Sequence, residues 1–377
     1  MAVLAFLFGS PLTVIYATDR LPWDVKINGQ PVRLAFDTGA QFSVLFRSAA
    51  KRLRLKITKV EYREPLAAGK VPYDIAEECT LETGMQLVKA TFGVIDDPPY
   101  NMKSDVDGFI AWNSVSNSVF HLDAERIIYG FPDDVPSDLN GWSRWKLVPN
   151  SELLVFEAGN SMETVKIGID TGSDQGVLLS RKRWQVWRAG LKQGRSTIEA
   201  SWTPSGGFEV KEVLRATKIT IGRFSLSDVP VTAANLPVER VFGDCDAILG
   251  LFAFRQLALI IDGKNGFLYT RPIAHPVGQY AYNRLGAVFV PKDADKSDDL
   301  VAHVIKDSPA YRAGVRDGDV LLEIGELDAT KWRADPHVLP LSRFWNQVAG
   351  TKLNLTVKHK DQPSKFMITL EELPAAD

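Results

Sequence analysis

The chain has 377 residues, 45% of them apolar and 24% charged, with 44 basic against 46 acidic side chains for a net charge of −2. That length supplies material for two or three cores, and the near-neutral balance gives no electrostatic case for nucleic acid or an anionic membrane as the main partner. The two cysteines, Cys79 and Cys245, form no CxxC or metal-type cluster; a single bridge and two ordinary buried thiols both fit them.

Residues 1–18 are uncharged from Ala2 to Thr18 and mostly apolar, too short for a spanning helix of roughly 20 residues. They read as an export signal or anchor, with Ile15-Tyr16-Ala17 as an exit site. The expectation is an exported chain, periplasmic or extracellular, which the same segment would tether to a membrane if uncleaved. The alternative is an apolar first strand.

Residues 21–36 predict two strands around Asn28-Gly29, a strong hairpin signal. They run into Asp37-Thr38-Gly39-Ala40. A short helix is expected over 47–55, a hairpin over 80–95, then the segment beginning Asp107-Gly108 and a strand near 126–130. The second half repeats this order: a hairpin over 153–169, Asp170-Thr171-Gly172-Ser173, a helix over 181–191, a hairpin over 219–231, Asp246-Ala247-Ile248-Leu249-Gly250, and strands at 259–262 and 267–269. The offsets drift slowly, 133 from Asp37 to Asp170, 138 from Gly84 to Gly222 and 139 from Asp107 to Asp246. A diverged internal duplication produces that drift; two chance triplets would not bring their neighbours along in register.

Beyond about residue 272 the pattern changes. Strands are expected at 285–289, 301–305, 320–324, 352–358 and 365–370, with helices at 308–314 and 341–348. This is a third unit of about 100 residues, an ordinary domain size.

Two carboxylates presented alike by two copies of one motif suit a shared proton. At close range both cannot ionise, so one holds a proton while the other activates water. Gly39 and Gly172 permit a tight turn and close approach, the Thr38 and Thr171 hydroxyls can brace one loop on the other, and Ala40 and Ser173 leave the approach uncrowded. The five histidines are scattered without a zinc spacing, and there is no GxSxG elbow or phosphate-cradling loop.

Phe36-Asp37-Thr38-Gly39-Ala40, Ile169-Asp170-Thr171-Gly172-Ser173 and Asp246-Ala247-Ile248-Leu249-Gly250 resemble the aspartic proteases of the pepsin and retropepsin type over residues 21–271. The resemblance implies a mainly β, bilobal acid-protease fold, with homologous barrel lobes at 19–135 and 136–273. It implies peptide-bond hydrolysis by Asp37 and Asp170 on a peptide or protein substrate, without cofactor or metal, in a chain active as a monomer. It also implies a flap hairpin, for which Tyr62, Tyr73 and Gly206 are candidates. One departure stands out: Ala111 occupies the position of the family's glycine, matched by Gly250 in the second copy. That departure motivates a rival expectation, an inactive protease fold acting as a peptide-binding scaffold. A second rival keeps the enzyme and makes the N-terminal segment its own substrate. Residues 278–373 resemble the PDZ domains of bacterial proteases through Ser308-Pro309-Ala310 to Ala313-Gly314 and Asp317-Gly318-Asp319-Val320. The resemblance implies that Leu285, Gly286, Ala287 and Val288 form a loop and strand taking a C-terminal peptide ligand by strand addition.

Overall fold

The computed structural model describes residues 13–14, 20–60, 73–83, 87–97, 105–123, 128–149, 151, 153–159, 163–191, 194–203, 207–235, 239, 242–274, 278–292, 297–335, 337–360 and 362–376. It is mainly β, in three sheets.

Seven strands build the N-terminal sheet: β1 (Pro22–Ile27), β2 (Gln30–Asp37), β3 (Val44–Phe46), β4 (Ile57–Thr58), β5 (Asp74–Glu82), β6 (Leu87–Ile95) and β7 (Gly108–Ala111). Their order is β1-β2-β7-β3-β6-β5-β4. A further pairing of Lys26 with Glu82 and Ile27 with Leu81 joins β1 to β5 and closes a barrel. The first turn explains itself. Asn28 and Gly29 both take positive φ, 50° and 78°, the two-residue turn whose twist matches its flanking strands.

Seven more strands follow in the second half: β8 (Val155–Glu157), β9 (Lys166–Asp170), β10 (Val177–Leu179), β11 (Thr197–Thr203), β12 (Gly207–Ile221), β13 (Phe224–Ala233) and β14 (Ala247–Gly250). They lie in the order β8-β9-β14-β10-β13-β12-β11, the first series with seven added to each number. Directions match as well. β2·β7 and β9·β14 are parallel, as are β3·β6 and β10·β13; the other four neighbour pairs of each series are antiparallel.

The halves meet through the strands that follow β7 and β14. Val119–Asp123 pairs antiparallel with Leu257–Asp262, Phe120 opposite Ile261. Leu257–Asp262 pairs with Phe267–Pro272, which leads through Ser143–Leu147 to β8. One buried apolar cluster runs through both series, including Phe36, Phe92, Phe120, Phe156, Leu179 and Leu249. Such a shared interior is hard to divide, because each half contributes side chains to one packed volume. Of residues 1–18, only Thr13 and Val14 fall within the described residues; their backbone pairs with Tyr129 and Ile128.

The third sheet holds Ala287–Pro291, Leu300–Val304, Val320–Ile324, Leu327–Asp328, Lys352–His359 and Gln362–Thr369, with Ala287–Pro291 at one edge. Its core includes Leu285, Leu321, Trp332 and Leu355. Two helices are shorter than their sequence pattern. The one expected over 47–55 spans Arg47–Arg52, and the one expected over 341–348 spans Ser342–Trp345. Conversely, β12 extends the strand expected at 219 back to Gly207. Cys79 and Cys245 are both buried and free, in separate clusters, so no bridge joins them.

Candidate active site

Asp37 ends β2 and Asp170 ends β9. Each strand is held against a parallel neighbour at its last residue, Asp37 opposite Ala111 and Asp170 opposite Gly250. The chain then turns sharply, and the turns are alike. The Gly39 N–H donates to Asp37 Oδ1 at 2.9 Å and the Gly172 N–H to Asp170 Oδ1 at 3.0 Å. The N–H groups of Ala40 and Ser173 point to the carbonyls of Asp37 and Asp170 at 3.4 and 3.3 Å.

The two threonines lock the turns together. Thr38 N–H donates to Thr171 Oγ1 and Thr171 N–H to Thr38 Oγ1, both at 3.0 Å. Each hydroxyl also donates across, Thr38 Oγ1 to the Ile169 carbonyl at 2.6 Å and Thr171 Oγ1 to the Phe36 carbonyl at 2.7 Å. Both side chains are buried, at 0% and 1% exposure, so these four bonds replace water entirely. This reciprocity fixes one Asp relative to the other. The glycines let the loops approach: a Cβ on Gly39 would collide with the Asp170 carboxylate, and one on Gly172 with that of Asp37.

The two carboxyls lie close enough to shift each other's titration. Desolvation pushes Asp37 up from its ordinary value. It is opposed by the N–H groups of Gly39 and Ala40, by Asp170 and by the positive charge of Arg20. Asp170 is pushed up to about 8, by desolvation first and then by the negative charge of Asp37. Two carboxyls this close resist ionising together, so the pair holds one proton between its two titrations. Such a pair can take a proton from water and give one to a polarised carbonyl oxygen.

Behind each Asp lies a second carboxylate that sequence reading used only to mark the repeat. Asp107 Oδ2 accepts from the Arg33 N–H at 3.0 Å and pairs with Arg52 at 2.7 Å. Asp246 Oδ2 accepts from the Lys166 N–H at 3.1 Å and pairs with Arg183 at 2.7 Å. Both tie the Asp-bearing strand to the helix that follows it. Their signal was the matched offset itself.

The Ala111 departure has a local answer. In the second half the Gly250 N–H donates to the Gly176 carbonyl at 2.9 Å, and a Cβ on Gly250 would collide with the Gln175 carbonyl oxygen. In the first half the Ala111 N–H donates instead to Ser43 Oγ at 3.0 Å, and that hydroxyl bonds Ser114 Oγ at 2.7 Å. A side chain replaces a backbone carbonyl as acceptor, and the methyl group is fully buried. Nothing around Asp37 loses its hydrogen bonds as a result.

In the chain the flap candidates fall between β4 and β5 and between β11 and β12, two strand pairs that are equivalent in the two series. Tyr62 and Gly206 lie outside the described residues. Tyr73 packs its ring on Phe42 at 5.2 Å between centroids, against the cluster of Ala35, Val44 and Phe46. In the third sheet Leu285 and Gly286 precede the edge strand and Ala287 and Val288 open it, all buried. No described group of His, Cys, Asp and Glu has a metal-holding arrangement.

No curated protein matches the chain. Residues 23–111, which carry the first Asp-Thr-Gly copy through to Ala111, match the family model for aspartyl protease, and that match supports an aspartyl protease family.

Proposed function

We propose that the chain is an aspartic endopeptidase of bilobal pepsin type, hydrolysing peptide bonds with a water activated by Asp37 and Asp170. The carrying observation is the reciprocal Thr38–Thr171 lock, which sets two carboxyls side by side at the ends of equivalent strands. In the reaction Asp37 takes a proton from the trapped water as its oxygen attacks the peptide carbonyl carbon, while Asp170 gives its proton to the carbonyl oxygen. Collapse of the tetrahedral intermediate returns a proton to the departing amine. Ordering water and substrate between two fixed carboxyls also removes much of the entropic cost of bringing them together.

The lobes are residues 19–135 and 136–273, and both Asp-Thr-Gly loops come from one chain, so a monomer is competent. Residues 278–373 serve as a PDZ-like domain for peptide or protein ends, and residues 1–18 direct export to the periplasm or beyond. Digestion of a proteome-derived peptide library between about pH 3 and 9, with Asp37→Asn as control, tests the activity. The expected profile has its upper limb near 8, where Asp170 loses its proton, and its lower limb above the ordinary carboxylate value. No cleavage by the wild-type chain at any pH would leave the inactive-scaffold reading in its place.

A further inference from the structure

The hairpin β11–β12 is bound at its root to the C-terminal sheet. β11 packs beside the edge strand Ala287–Pro291, and Asn283 joins the two. Its Nδ2 donates to the Ile198 carbonyl at 2.8 Å and to the Ala287 carbonyl at 2.9 Å. Its own carbonyl accepts from Thr197 Oγ1 at 2.6 Å. Its Oδ1 accepts from the N–H groups of Leu285 and Gly286, both at 3.0 Å. Asn283 is 2% exposed, with every polar group of its side chain used.

Those two N–H groups belong to the loop that the PDZ resemblance assigns to the end of a peptide ligand. An amide oxygen stands there already. Ile198, buried, belongs to the same apolar cluster as Leu285, Ala287, Val288, Phe289 and Trp345. The chain thus supplies both features of an added peptide end, an oxygen on the glycine loop and an apolar side chain from a strand beside the sheet edge. Further ties reinforce the root. Tyr280 OH donates to Glu199 of β11. Glu371 pairs with Arg195 and Arg312. Ala376 exchanges backbone bonds with Arg215 and Thr217 of β12.

We propose that the C-terminal sheet holds the hairpin in its own peptide site, and that a peptide end with an apolar last side chain and a free carboxylate competes with Asn283 and Ile198 and frees the hairpin. The competition rests on the PDZ-like reading of residues 278–373 and does not require the protease reading.

The test uses the full chain carrying Asp170→Asn, so that no peptide is consumed. Fluorescent pentapeptides ending in Val, Leu or Ile are titrated as free acids and as amides, and deuterium uptake is followed over residues 197–213. The free acids should bind and raise uptake there, and the amides should do neither. Adding Ile198→Ala should tighten binding of the free acids by about tenfold or more, because the competent fraction of sites rises. Asn283→Asp, which loses the donors to Ile198 and Ala287, should raise uptake without peptide. Equal affinity with and without Ile198→Ala, binding without a change in uptake, or no binding in any form would overturn the proposal. If Ile198→Ala fails to fold, uptake in the parent protein decides alone. Wild-type cleavage is assayed separately, so failure of the protease reading and failure of the competition are distinguishable.

Discussion

Thr38 and Thr171 carry more of the site's geometry than the carboxyls they flank. Thr38→Val keeps the volume but removes a donor to Ile169 and an acceptor for Thr171. It should cost about 1–3 kcal/mol for each buried group left unpaired, read by chemical denaturation, and should lower activity further than stability explains. Thr38→Ser should restore most of both. The pair Ala111 and Gly250 gives a second comparison. Gly250→Ala forces a methyl into the Gln175 carbonyl and should destabilise by about 1–3 kcal/mol. Ala111→Gly adds only backbone freedom and a lost methyl contact, about 1 kcal/mol. Equal costs at the two positions would show that the loops do not differ as described.

At the scale of elements, the strands that end at Asp37 and Asp170 place both carboxyls where water is scarce, and this has a thermodynamic sign. A carboxyl whose pKa is higher folded than unfolded binds more protons in the native state between those values, so stability falls as pH rises through that window. With Asp170 near 8, thermal stability should decline from about pH 4 to about pH 8, and Asp170→Asn should flatten the decline and raise the melting temperature at pH 7. A steeper decline in the variant would contradict the assignment. Most of these elements were legible in the sequence. Asn28-Gly29 marked the first hairpin, the repeat of the same order marked the hairpin leading into Asp170, and the drifting offset paired Asp107 with Asp246. What stayed hidden was non-local. Nothing in the sequence near Ser43 announces that its hydroxyl will meet the Ala111 N–H. Asn283 was invisible for the same reason, since its partners Thr197 and Ile198 lie far away in the chain. The helix ends erred because tertiary contacts, not propensity, set the last turn. Of the flap residues, only Tyr73 falls within the described chain, packed on Phe42.

Taken as a whole molecule, two seven-strand series with identical order and direction contribute one Asp each, and a shared sheet and core join them. A site built within one chain should show a specific activity independent of protein concentration over a hundredfold dilution; a steep loss on dilution would mean that a second copy is required. The C-terminal sheet, tied to β11 through Asn283, extends that unity to the end of the described chain. The most direct measurement is cleavage of one defined peptide near pH 6 by the wild-type chain, Asp37→Asn and Asp170→Asn, each shown to be folded by its melting transition. A pair that shares one proton requires both members, so each variant should lose about a thousandfold or more in kcat/KM. Cleavage retained in either folded variant would contradict a two-carboxyl mechanism.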